Sequence, residues 1–74
     1  MLSQQSPLEA ALSARNVWLE KRDLRSRRSY EHALRRCTAD AARDLVVRVG
    51  WQSMQPAERA MPRIGEAMRA VVVL

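Results

Sequence analysis

The stretch Glu20-Lys21-Arg22-Asp23-Leu24-Arg25-Ser26-Arg27-Arg28-Ser29 decides how this chain folds, because there a long helical pattern loses its apolar residues. Leu24 is its one large apolar side chain. Around it, Pro7 to Val49 contains no internal Gly or Pro, and Ala, Leu, Arg and Glu dominate, all good helix formers. The start is marked by Ser6-Pro7-Leu8-Glu9, with Ser at the N-cap, Pro at the first helical position and Glu placed for a capping box. Gly50 stands where a left-handed C-terminal cap is favoured. A single helix over 7–49 would be a rod roughly 65 Å long at ~1.5 Å per residue.

A step of ~100° per residue tests whether one helix is consistent. With Leu24 at zero, Leu8, Leu12, Leu19, Tyr30, Leu34, Cys37, Ala41 and Leu45 fall within roughly 200–300°. Lys21, Arg25, Arg28, His32, Arg36 and Arg43 gather near 40–120°, on the other side. The apolar phase persists across the polar gap, which favours one continuous helix. Acid-first i,i+4 pairs, Asp23–Arg27 and Glu31–Arg35, would support it by a few tenths of a kcal/mol each. The alternative is a bend at 22–29, where Asp23, Ser26 and Arg27 would occupy the buried side.

Beyond Gly50, residues 50–55 read as a turn. Pro56 opens a second helical segment over 56–72, and Pro62 falls where it must kink or restart it. Ile64, Met68 and Val71 share a face, so this segment folds back on the first helix. Trp51, in the turn, is expected to pack beneath it. The reading is an all-α single domain over 1–74: a tail at 1–6, a long N-terminal helix and a short C-terminal helix in a helical hairpin.

Size then argues for a second copy. A chain of 74 residues is marginally stable alone without a staple. One cysteine excludes a disulfide, and Cys37 with His32 cannot complete a zinc site. An eighteen-residue C-terminal segment covers less than half of a 43-residue stripe, roughly counted by length. Dimerisation as a helical bundle or coiled coil would cover the rest, with Leu8, Leu12, Leu19, Leu34, Cys37, Ala41 and Leu45 as core and dimer positions.

The start lacks a signal-peptide pattern, and no run reaches the ~20 apolar residues of a membrane span, the closing Ala70–Leu74 included. An unpaired cysteine suits a reducing compartment, so the expected location is the cytoplasm. No cofactor is implied. Cys37 and His32 lie five apart on opposite helix faces, and there is no phosphate loop or metal-protease motif, so catalysis is not expected.

Binding is. Residues 21–36 hold seven Lys or Arg against Asp23 and Glu31, a local excess equal to the +5 of the whole chain. Such a cluster is either a solvated helix face or a footprint for phosphates or acidic protein. The aromatics do not interleave with the arginines as in a single-strand stacking platform. Trp18 falls at the edge of the basic face, and Tyr30 at the boundary between apolar phase and polar gap. Each is either core or an exposed anchor.

At Arg28-Ser29-Tyr30-Glu31-His32-Ala33-Leu34, with Arg15-Asn16-Val17-Trp18 upstream, the sequence resembles a family of small phage anti-quorum-sensing, host-takeover proteins of the Pseudomonas phage type. The likeness spans about residues 12–48. It implies a non-enzymatic helical homodimer that binds a LuxR-type quorum-sensing activator, blocking its DNA binding, and inhibits the ATPase of type IV pilus assembly. It also implies partner contacts at Arg28 and Tyr30. This chain is more basic before the motif, and residues 56–74 have no counterpart. The expected partner surface is Trp18, Lys21, Arg25, Arg28, Tyr30, His32 and Arg36. A small basic nucleic-acid-binding dimer is the alternative.

Overall fold

The first helix ends at Lys21. In the structure, a computed structural model that describes residues 6–72, the expected 7–49 rod is three helices. These are α1 (Pro7–Lys21), α2 (Leu24–Arg35) and α3 (Ala39–Val49). After them come a 3-10 turn at Trp51–Ser53, a single turn α4 (Pro56–Arg59) and α5 (Pro62–Val72). No strand occurs among the described residues. Most of the expected tail, and the last two residues of the apolar C-terminus, lie outside the described residues.

The continuous helix is corrected at two places, and side-chain caps explain both. At the first, Arg22 takes a left-handed conformation at φ 58°, and its N–H closes on the Trp18 carbonyl at 2.7 Å. A non-glycine residue there costs roughly 1–2 kcal/mol. Arg22 offsets this by donating Nε–H to the Leu19 carbonyl at 3.2 Å and by placing its guanidinium 5.4 Å from the Trp18 ring centroid. Asp23 then accepts the Ser26 N–H at 2.8 Å and starts α2. At the second, Thr38 accepts the Ala41 N–H at 3.1 Å and starts α3. Asp23 therefore caps a helix instead of pairing with Arg27, whose Nε lies 3.4 Å from Glu31 Oε1.

Breaking the rod lets each piece find its cover within the chain. The protein divides between Cys37 and Thr38 into two compact units. In the first, α2 packs back against α1. Cys37 Sγ lies 3.4 Å from the Pro7 carbonyl, so the end of α2 meets the start of α1 in an antiparallel hairpin. Its buried residues are Ala11, Arg15 and Trp18 from α1 and Ser26, Tyr30 and Leu34 from α2, joined by Cys37. Leu8, Leu12 and Leu19, expected in the core, are half-buried instead, because α2 approaches the neighbouring side of α1.

In the second unit α3 packs against α5. Ala42, Leu45 and Val46 face a wall of Met54, Met61, Ile64 and Ala67, while Ala41 is half-buried. Burying each large aliphatic side chain contributes on the order of 1.5–3 kcal/mol. The start of α4 is closed by Glu58, a fully buried residue whose Oε1 accepts the Gln55 N–H at 2.7 Å. Gly50 ends α3 with a positive φ of 89°, but its ψ of 122° lies outside the left-handed cap expected there, and Pro62 restarts the helix. The argument for a dimer from an uncovered stripe loses its premise, since α2 covers α1 and α5 covers α3.

Candidate interaction surface

The residues expected at a partner surface separate into two groups. Trp18 and Tyr30 are corrected to core positions, at 4% and 0% exposed, because α2 turns back over α1 and brings them together. Their rings stack at 5.7 Å between centroids with 24° between planes. An offset aromatic pair of this kind contributes about 0.5–1.5 kcal/mol beyond its area. Neither ring is open to a partner. Lys21, Arg25, Arg28, His32 and Arg36 are exposed.

The period of α2 produces this division. Ser26, Tyr30 and Leu34 recur every four residues on the inner face, which leaves Leu24, Arg25, Arg28, Ser29, His32 and Arg35 pointing outward. Four arginines stand against one glutamate within the helix. One shallow hollow is lined by Leu24, Arg25, Arg28, Ser29 and His32. A second, beside it, shares Leu24, Arg28 and His32 and adds Arg27, Glu31 and Arg35. A third runs from His32 to Arg36 past Ala33 and reaches Pro7 and Ala10 on α1. His32 is thus the point where three hollows meet, and Arg25, Arg28 and Arg36 surround it. Lys21, in the last turn of α1, lines none of these three.

Sequence reasoning missed Leu24, which is 58% exposed in the middle of this charge. The signal was present, since Leu24 lies outside the apolar phase on the helical wheel, beside the basic residues. An isolated apolar residue on a basic face is easily read as a lapse in the pattern. Ser29 and Arg35 were missed because the resemblance drew attention to Tyr30, their buried neighbour.

The electrostatics at the root of α2 are local. The Ser26 hydroxyl and then its N–H hold the Asp23 carboxylate below the ordinary carboxylate range, since both hydrogen bonds favour the charged form. That fixes a negative cap at the positive end of α2. Cys37 is buried with its thiol on the Pro7 and Ala33 carbonyls, at 3.4 and 3.5 Å, while His32 is exposed on the outer face. The two do not converge. Among the described residues, no three or more His, Cys, Asp or Glu side chains gather as around a metal ion. No helix among them is long and apolar enough to cross a membrane.

The outward face of α2 is therefore the surface that position, charge and exposure single out. Compared with protein-family models, curated proteins and solved structures, the chain matches none.

Proposed function

We propose that this chain is a non-enzymatic inhibitor of phage origin that docks the outward face of α2 onto a host regulatory protein. A LuxR-type quorum-sensing activator and the type IV pilus assembly ATPase are the targets suggested by the likeness over residues 12–48. The observation that carries the reading is an exposed apolar side chain, Leu24, ringed by Arg25, Arg28 and His32 on a helix whose other face is locked by the Trp18–Tyr30 stack. A phosphate backbone needs only the cations. Leu24 adds the apolar contact that protein interfaces place among charges, and arginine is enriched at such contacts. Within Arg28-Ser29-Tyr30, Arg28 makes the contact and Tyr30 sets the position of the helix that carries it.

The test is release of operator DNA from a purified LuxR-type activator, alongside pilus ATPase activity, on adding this chain. Arg28→Glu and Leu24→Asp are expected to weaken inhibition at least tenfold, about 1.4 kcal/mol, with helical content unchanged. If the chain leaves both DNA binding and ATPase activity untouched, those targets are wrong. If inhibition survives both substitutions, the surface is wrong.

One observation favours a second reading, a nucleic-acid binder: the four arginines of α2 outnumber its acids. Were all four on phosphates, log affinity would fall against log salt with a slope of about −3 to −4, without sequence preference. A chain that shifts neither DNA nor RNA at low salt removes this reading.

A further inference from the structure

We infer that the outward face of α3 is a self-association surface, where a second copy of this chain packs antiparallel about Val47. The inference is independent of what α2 binds.

The side of α3 turned away from Ala42, Leu45 and Val46 carries Asp40, Arg43, Asp44, Val47 and Arg48, all exposed. Val47 is 65% exposed and Trp51, four residues on, is 46% exposed. Scattered exposed apolar residues need no explanation. This pair differs because the backbone that presents the tryptophan is fixed. Arg59 donates from Nη2 to the Trp51 carbonyl at 3.1 Å and from Nε to the Met54 carbonyl at 3.0 Å. The Ser53 N–H closes the turn on the Gly50 carbonyl at 2.8 Å. Trp51, expected to pack beneath the C-terminal segment, is held outward instead. A rigidly presented tryptophan beside an exposed aliphatic side chain has the character of an interface anchor.

Charge identifies the occupant. The chain carries +5, so copies repel unless they meet on a locally neutral face. The α2 face is strongly cationic and repels its own copy. The α3 face is neutral, with Asp40 and Asp44 against Arg43 and Arg48. Its order is also self-complementary. Asp44 precedes Val47 and Arg48 follows it, and at ~100° per residue both lie on the same flank of the Val47 line. A two-fold axis at Val47 reverses the second helix. Asp44 of each copy then faces Arg48 of the other, giving two equivalent ion pairs around a Val47–Val47 contact. A parallel two-fold pair would turn these two flanks away from each other, so the Asp44–Arg48 pairs would not form. Closed two-fold contacts require such self-complementarity.

An eleven-residue helix spans about 16 Å at ~1.5 Å per residue, so this face buries less than the ~800 Å² per partner of a standard interface. Association is therefore weak and concentration-dependent. Sedimentation equilibrium of the full chain, over a roughly hundredfold concentration range reaching about 1 mM, is the experiment. The average mass is expected to rise from that of one chain toward that of two. Val47→Glu is expected to hold it at one chain with an unchanged circular dichroism spectrum. Asp44→Arg and Arg48→Asp should each weaken association about tenfold, and the double variant should restore it. A wild-type chain that stays monomeric to the highest concentration overturns the inference. So does association that survives Val47→Glu. A double variant as weak as either single one overturns the antiparallel register.

Discussion

The two hairpins solve the same problem with different chemistry. The α1–α2 turn contains neither glycine nor proline. It is a left-handed arginine and a capping aspartate, Arg22 and Asp23, stabilised by hydrogen bonds and by the Trp18 ring. The α3–α5 connection uses a glycine at positive φ, a 3-10 turn and two prolines at helix starts. Their interiors differ as well. The first unit buries an aromatic pair together with Arg15 and Ser26, whereas the second is lined by Leu45, Val46, Met54, Met61 and Ile64, with Glu58 as its buried charged residue. The comparison teaches that a chain rich in helix formers can be turned either by residues that cannot continue a helix or by residues that start a new one well. Only the former announces itself.

The largest expected effect tests whether the aromatic pair is the keystone of the first unit. Tyr30→Ala removes a fully buried ring and should cost about 3–5 kcal/mol. Stabilities of ~0.05–0.15 kcal/mol per residue give a unit of this size only about 2–6 kcal/mol, most or all of which that loss removes. Amide signals from α1 and α2 are expected to collapse to unfolded positions in a two-dimensional NMR spectrum, while those of α3 and α5 persist. Loss of all four helices together would break the division into two units.

Next is Gly50→Ala. The φ of 89° at Gly50 is strained for any side chain, although the added Cβ would meet only Ser53 Oγ at 3.9 Å. Destabilisation of about 1–3 kcal/mol by denaturant titration is expected. No change would mean that the second turn, like the first, tolerates a residue with a side chain there.

Gly65→Ala goes the other way. Gly65 lies inside α5, and a Cβ there meets the Arg59 carbonyl at 3.6 Å, an ordinary contact. Stabilisation of about 0.4–1 kcal/mol is expected from the smaller entropy of the unfolded chain. A destabilised variant would show that α5 packs more tightly around this position than described.

The smallest effect sharpens the role of Asp23. Its carboxyl is held below the ordinary range in the folded state, so its contribution is complete above the unfolded value and is lost as pH falls through the folded one. Thermal midpoints should therefore decline on acidification from about pH 5 toward pH 2, in part through this cap. Asp23→Asn, an equally good N-cap, is expected to show a shallower decline. Identical profiles for the two proteins would remove Asp23 from the account.

How far the sequence could be read follows from the same contrast. Ser6, Gly50, Pro56 and Pro62 act where they stand, because a cap, a positive φ or a missing N–H is a local property. The polar gap made a bend at 22–29 legible as the alternative to one helix, but not that it falls at Arg22–Asp23, and the break at Arg36–Thr38 was not legible. Asp23 and Thr38 are as much at home on a helix surface as at a helix start, and a residue in the left-handed region carries no mark when it is arginine. The exposure of Arg25, Arg28, His32 and Arg36 was legible from the helical period. Which aromatic residues accompany them was not, since Trp18 and Tyr30 are adjacent only once α2 has folded back.

By itself, then, the sequence determined helical structure and a concentrated basic cluster on residues 21–36, because propensity and period act over a few residues. The tertiary structure decided what became of the polar stretch at 20–29. A continuous rod would have left an apolar stripe in water and would have set Asp23, Ser26 and Arg27 on it. One left-handed residue and one extended residue with a capping carboxylate cost little beside the burial of Tyr30, Leu34 and Cys37 against α1. That long-range balance makes the stretch a corner, with Leu24 exposed at its edge.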